Sequence, residues 1–152
     1  MTIAVLGAGA FGTALACALA EDGQDVQLWS RSPEQAAQSA KSRTSARLPD
    51  VTLPANIQPT SQIKDILADI LLLAVPAQQT ARFLAEHSAD LPDVPLVLCA
   101  KGIDLTTFQL QTDIARTHAP SHSVAVLTGP GFAGEIARGL PTALTIACED
   151  LD

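Results

Sequence analysis

Three glycines stand at positions 7, 9 and 12 in the stretch GAGAFG, directly behind the apolar run TIAVLG (2–7). That spacing suits one kind of chemistry. Gly7 allows a tight turn, Gly9 lets the backbone approach a pyrophosphate, and Gly12 lets the next helix pack close to the strand. The first turn of that helix offers free N–H groups and the positive end of its dipole, both favourable to phosphate. About 20 residues further on, such sites usually carry an acid for the ribose hydroxyl. Here the chain reads LWSRSPE: Arg31 lies 19 positions after Gly12, and within this stretch no Asp or Glu stands before Glu34. A guanidinium matches a 2′-phosphate in charge and in its forked donors, and a carboxylate would repel it. NADP is therefore expected over NAD, with NAD still open. A solvated surface arginine is the plain alternative.

The same device recurs in LTGPGFAGEIARG (127–139), where a strand ends, a Gly-Pro-Gly turn at 129–131 follows and a helix starts. Lys101, in CAKGI, follows a neighbouring apolar strand, and its ammonium suits a phosphate or a polarised carbonyl. Two anion sites on one edge suggest a dinucleotide beside a small phosphorylated substrate. A plain αβ turn and a solvated loop lysine are the competing readings. The sequence has no HExxH, no GxSxG and no metal-ligand cluster. His87, His118 and His122 read as solvated, and Trp29 and Phe83 as packing residues. Phe11, inside the glycine loop, is expected to lean on the cofactor.

Alternating elements must position these residues. Strands are expected at 2–7, 25–29, 69–76, 94–102, 123–129 and 141–148, where short apolar runs suit buried parallel strands. Helices are expected at 11–23, 32–43, 77–91, 106–119 and 131–139, with a short one at 61–68. Gly23 is placed to end the first helix, and Ser32 and Pro33 to start the second. TSARLPDVTLPANIQPT (44–60), with three prolines, reads as a loop with at most a short extended piece. The sum is a Rossmann-type α/β fold: a doubly wound, mostly parallel sheet with helices on both faces and right-handed crossovers. Ligands in such sheets sit outside the carboxyl ends of the strands.

Composition narrows the partners. The 152 residues carry nine Lys and Arg against 16 Asp and Glu, a net charge of −7. That balance argues against a nucleic-acid stripe and against attraction to an anionic membrane. No apolar run reaches the ~18 residues of a membrane helix, and no leader pattern opens the sequence. The expected location is the cytoplasm. Cys17, Cys99 and Cys148 lie in apolar stretches and read as small core residues in a reducing compartment.

The stretches GAGAFGTALA, VQLWSR, LPDVTLPANI, LLLAVPAQ, CAKGID and GPGFAGEIARGLPTAL run in one order over nearly the whole chain. In that order they resemble the N-terminal domain of NAD(P)-dependent glycerol-3-phosphate dehydrogenase of the bacterial biosynthetic type. The last two stretches are the specific ones; ketopantoate reductases share the beginning and lack that ending. The resemblance implies that Ala10 and Phe11 contact the cofactor and that Arg31 meets its adenosine end. It also implies that Lys101 touches cofactor and substrate, that Gly129 and Gly131 lie in the substrate loop, and that Ala133 is a cofactor contact. The implied reaction reduces dihydroxyacetone phosphate to sn-glycerol 3-phosphate and feeds phospholipid synthesis.

The chain departs from the family pattern at three positions. Gly131 stands where Ser or Thr is frequent, Ala10 where Ser is frequent, and Arg47 before LP where an aromatic is usual. The general base of the family is a lysine in an all-helical C-terminal domain, and no position here matches it. Residues 1–152 are thus expected to be a dinucleotide-binding domain without that helical partner. Alone it should bind cofactor weakly, catalyse little, and expose an apolar face prone to self-association. A homodimer is left open for the full-length protein. The alternatives are another NADP-dependent reductase of the ketopantoate type and a non-catalytic dinucleotide-binding module.

Overall fold

In each apolar strand, successive side chains point to opposite faces of the sheet, and both faces here are buried. A computed structural model describes residues 1–149, so the last three positions of the expected 1–152 domain lie outside the described residues. Strand β1 (Thr2–Leu6) sends Ile3 and Val5 into one core cluster and Ala4 and Leu6 into the other. Strands β6 (Ile70–Leu73) and β7 (Leu96–Leu98) split likewise, with Leu72 and Val97 on the first side and Leu71, Leu73, Leu96 and Leu98 on the second. Helix α1 (Ala10–Glu21) covers the first face through Leu15, Ala16, Cys17 and Ala20. Helices α3 (Thr80–His87) and α4 (Gln111–His118) cover the second through Phe83, Leu84 and Ala115. This two-sided burial is why the strands read as continuous apolar runs.

The remaining members of the main sheet are β2 (Asp25–Trp29), β5 (Ile57–Thr60), β8 (Val124–Thr128) and β9 (Thr145–Cys148). Their order is β5-β2-β1-β6-β7-β8-β9. All neighbours pair in parallel except β8 and β9, which are antiparallel. The winding runs outward from β1 to β2 and returns on its other side at β6, so the switch point lies between the carboxyl ends of β1 and β6. Helix α2 (Pro33–Ser42) starts as expected: the Ser32 hydroxyl accepts from Gln35 N at 3.1 Å, with Pro33 at the first helical position. Gly23, at φ +84°, follows the end of α1.

Residues 44–60 are more ordered than a proline-rich loop. Strands β3 (Thr44–Ser45) and β4 (Leu48–Thr52) form a small antiparallel pair, and β5 adds a parallel edge to the main sheet. Pro59 sits opposite Leu28 in the register, but Val26 N bonds Asn56 O and Ser30 N bonds Thr60 O, so the even-numbered residues along β5 carry the hydrogen bonds to β2 and Pro59 needs none. An edge strand tolerates proline for that reason. Arg43, in the left-handed region at φ +54°, fastens the segment. Its guanidinium donates to Leu53 O at 3.3 Å, to Ile57 O at 2.9 Å and to Pro54 O. Asn56 Nδ2 donates to Ala20 O at 2.8 Å and Gln24 O at 2.6 Å.

Other boundaries shift. The short helix expected at 61–68 is one 3₁₀ turn, Ile63–Asp65, because Ile66 leaves it extended and buried in the second cluster. The helix expected at 77–91 is α3 flanked by 3₁₀ turns at Ala77–Gln79 and Ser88–Asp90. The helix at 106–119 starts only at Gln111. The segment before it is held as a turn by Asp104, whose Oδ1 accepts from Thr107 N at 2.7 Å, Thr106 N at 2.9 Å and the Thr107 hydroxyl at 3.0 Å. Helix 131–139 shrinks to α5 (Ala133–Ile136), and strand 141–148 to β9. His122 is not solvated: it is buried, with Nδ1 2.8 Å from Val94 O. His87 is half-buried against Trp29 and Phe83.

Candidate functional site

A groove of about 790 Å³ opens at the carboxyl ends of β1, β2, β6 and β7, across the switch point. Gly7, Gly9, Ala10, Phe11, Arg31 and Lys101 all line it, so the main sequence candidates converge. Gly7 and Gly12 build the turn itself. Gly7 has φ +129°, and a Cβ there would lie 2.7 Å from Ala74 O, at the end of β6. A Cβ on Gly12 would run into the Gly7 carbonyl oxygen. Gly9 differs. Its backbone is ordinary, φ −74° and ψ 178°, and a Cβ there would meet no atom within 4 Å. Nothing inside the protein demands glycine at position 9; the free space lies where a ligand would come against the backbone. Gly9 is also the N-cap of α1, no side chain caps that end, and no acid stands in the first turn. The helix therefore presents uncompensated N–H groups, a fit for a pyrophosphate.

Charge reinforces the fit. Arg31, Arg47, Arg82 and Lys101 line this one groove, four of the nine Lys and Arg in an acidic chain. Arg31 is exposed, and among the described residues its guanidinium makes no hydrogen bond or ion pair. Arg82, on α3, pairs with Glu86 one turn on, Nε to Oε1 at 2.7 Å. That bond holds the Glu86 carboxyl below the usual range, with further help from the charges of Arg82, His87 and Arg31. Cys99 also lines the groove, but burial pushes its thiol up to about 12, so it carries no thiolate chemistry. Cys17 is likewise pushed up to about 11, chiefly by burial. Gln35 ties α2 to the glycine loop, Nε2 to Ala8 O at 3.2 Å. Trp29 keeps its packing role, 5.3 Å from Phe83 between ring centroids, and also forms part of the wall.

Sequence reasoning missed Arg82 and Glu86 as groove residues and took Arg47 only as a family departure. An i,i+4 pair on a helix ordinarily reads as solvated surface. Only the packing of α3, whose Phe83 meets Trp29 of β2, brings the pair into the groove that the glycine loop also lines.

The 129–133 segment lies beside this groove rather than in its wall. Lys101 Nζ joins the two, donating to Gly129 O at 3.0 Å. Gly129 has φ +133°, and a Cβ there would lie 2.6 Å from Ala143 O. At Gly131 a Cβ would come within 3.1 Å of both Ile136 Cδ1 and Thr142 Cγ2, so the neighbours here are drawn in around a glycine. Ala133 and Phe11 pack on the same small cluster of Ala14, Ile136 and Ala137. The four-residue α5 is shorter than the anion-binding helix expected after the Gly-Pro-Gly turn; of the nearby cations, Lys101 bonds the turn itself, at Gly129 O, and Arg138 bonds Gly134 O of α5.

Residues 2–152 match the sequence profile of the family described as NAD-dependent glycerol-3-phosphate dehydrogenase N-terminus. The chain belongs to this family. It is 50% identical over 150 residues to the glycerol-3-phosphate dehydrogenase [NAD(P)+] of Paracoccus denitrificans, covering 99% of this chain and 46% of that protein. It is 47% identical over 154 residues to the enzyme of the same name from Roseobacter denitrificans, covering 100% and 48%. Among solved structures, glycerol-3-phosphate dehydrogenase from Coxiella burnetii superposes with a TM-score of 0.90 at 29% identity, over 98% of this chain and 47% of that one. The chain thus spans about half the length of the curated relatives it matches. The family match bears out the Rossmann-type reading and favours the dehydrogenase over the other reductase and the non-catalytic module. No helix among the described residues is long and apolar enough to cross a membrane.

Proposed function

We propose that this chain binds NADPH, or NADH, across the groove and forms the dinucleotide half of a site that interconverts dihydroxyacetone phosphate and sn-glycerol 3-phosphate. The observation that carries the reading is Gly9: an ordinary backbone with open space over it, at the uncapped start of α1. The pyrophosphate would lie against Gly9, Ala10 and Phe11, with Gly7 and Gly12 holding the turn. Arg31 would meet the 2′-phosphate. The bound dinucleotide supplies or accepts the hydride. Lys101 stands where cofactor and a phosphorylated substrate would meet, and its bond to Gly129 O ties it to the substrate loop of Gly129 and Gly131, with Ala133 beside Phe11.

Hydride transfer needs the two carbons held close in a site that excludes water. The open groove offers one wall. The reading therefore includes a helical C-terminal domain that supplies the general-base lysine, so residues 1–152 alone should bind without appreciable turnover. The free thiols of Cys17, Cys99 and Cys148 suit the reducing cytoplasm. The full-length protein is proposed as a homodimer, which sedimentation would detect.

The test is a calorimetric titration of this chain with NADPH and with NADH at one salt concentration. NADPH should bind more tightly, and Arg31→Ala should weaken it by about tenfold, the worth of one charge-assisted contact, while changing NADH little. Failure of both dinucleotides to bind would overturn the reading.

A further inference from the structure

Glu86 is the one carboxylate among the described residues that line the groove, beside Arg31, Arg47, Arg82 and Lys101, and it has come from an unexpected place. The carboxylate that such folds carry at the end of the second strand is missing here; Ser30 and Arg31 stand instead. Glu86 reaches the same mouth from α3. It is engaged with Arg82 at 2.7 Å, yet both side chains stay accessible, 49% and 69% exposed. His87 Nε2 lies 4.0 Å from its other oxygen. Arg31 lines the same groove, and its charge adds to those of Arg82 and His87 in favouring the ionised Glu86 carboxylate.

We propose that the Arg82–Glu86 pair is a selectivity element that balances the two dinucleotides against each other. Resting on the groove reading above, it acts in two ways that push in the same direction. A 2′-phosphate held by Arg31 meets the negative charge of Glu86, and the second guanidinium that could help neutralise it, Arg82, is already occupied. A free 2′-hydroxyl suffers neither penalty, and Glu86 can accept its hydrogen bond, as the missing strand-end acid would. Arg31 thus favours NADPH and Glu86 restrains that preference. A chain with Arg31 and no acid would be more one-sided.

The experiment measures affinities for NADPH and NADH by calorimetry in the unsubstituted chain, in Glu86→Gln, in Arg82→Gln and in the double variant. Melting temperatures confirm that each variant is folded. Glu86→Gln should raise the NADPH-to-NADH affinity ratio by about fivefold, the effect of one exposed charge at short range. Arg82→Gln should lower that ratio, and in its background the gain from Glu86→Gln should shrink, because Arg82 is no longer there to be released. Both dinucleotides binding with the ratio unchanged in Glu86→Gln, or both shifting equally, overturns the proposal and leaves the groove reading intact. Neither binding to the unsubstituted chain overturns the groove reading and the proposal together.

Discussion

Gly9 and Gly12 sit three residues apart in one motif, yet they are glycine for different reasons. Gly12 has no room for a Cβ because the Gly7 carbonyl occupies it, whereas Gly9 has open space. Gly12→Ala should therefore destabilise the fold by about 3 kcal/mol, the upper range for overpacking a tight contact. Gly9→Ala should leave stability within about 0.5 kcal/mol and weaken dinucleotide binding instead. Thermal melts and titrations on the two variants separate the roles; equal loss of stability in both would refute the distinction. The motif was legible in the sequence because its requirements are local: the turn, the helix start and the glycines all lie within six residues. Arg82 and Glu86 were not, because nothing in their own helix says which neighbour it faces. The burial of His122 was hidden similarly. Its partner, Val94 O, lies 28 positions away.

At the scale of elements, the strong apolar runs of β1, β6 and β7 were read correctly as strands, since burial on both faces leaves almost no polar residue to confuse the pattern. β5 was hidden because its edge position lets it carry Pro59 and half-exposed residues. What orders the 44–60 segment is long-range bonding rather than propensity: three donors on the Arg43 guanidinium, two bonds from Asn56 Nδ2 and the β5–β2 pairing. Arg43→Ala should cost about 2 kcal/mol through the carbonyls it leaves without partners. Urea denaturation would show this as a lower midpoint. The ratio of NADPH to NADH affinity should not move, since Arg43 does not line the groove. Helix ends were less legible than helix existence. At 106–110 Asp104 competes with the helix for backbone N–H groups, and at 131–139 only one turn forms.

For the whole molecule, the distribution of charge matters more than its sum. A chain of net charge −7 would repel a dinucleotide at long range, but four cations gathered in one groove reverse the field where it counts. Binding should weaken several-fold between low salt and about 1 M, where the screening length shrinks to ~3 Å. NADPH, with its extra phosphate, should lose more than NADH; salt-independent affinities would refute an electrostatic origin. The order of the sheet carries a different consequence. β1 is an interior strand between β2 and β6, and its pairing with β6 joins residues 67 positions apart, as between Ile3 and Ile70. Closing so long a loop is costly before any contact rewards it. β1 can pair with nearby β2 early, but its other edge stays open until β6 arrives. The floor of the groove, where Gly7 meets Ala74, is thus among the last parts of the sheet to be completed as the chain folds, and a chain delayed at that stage presents a bare apolar strand edge to its neighbours.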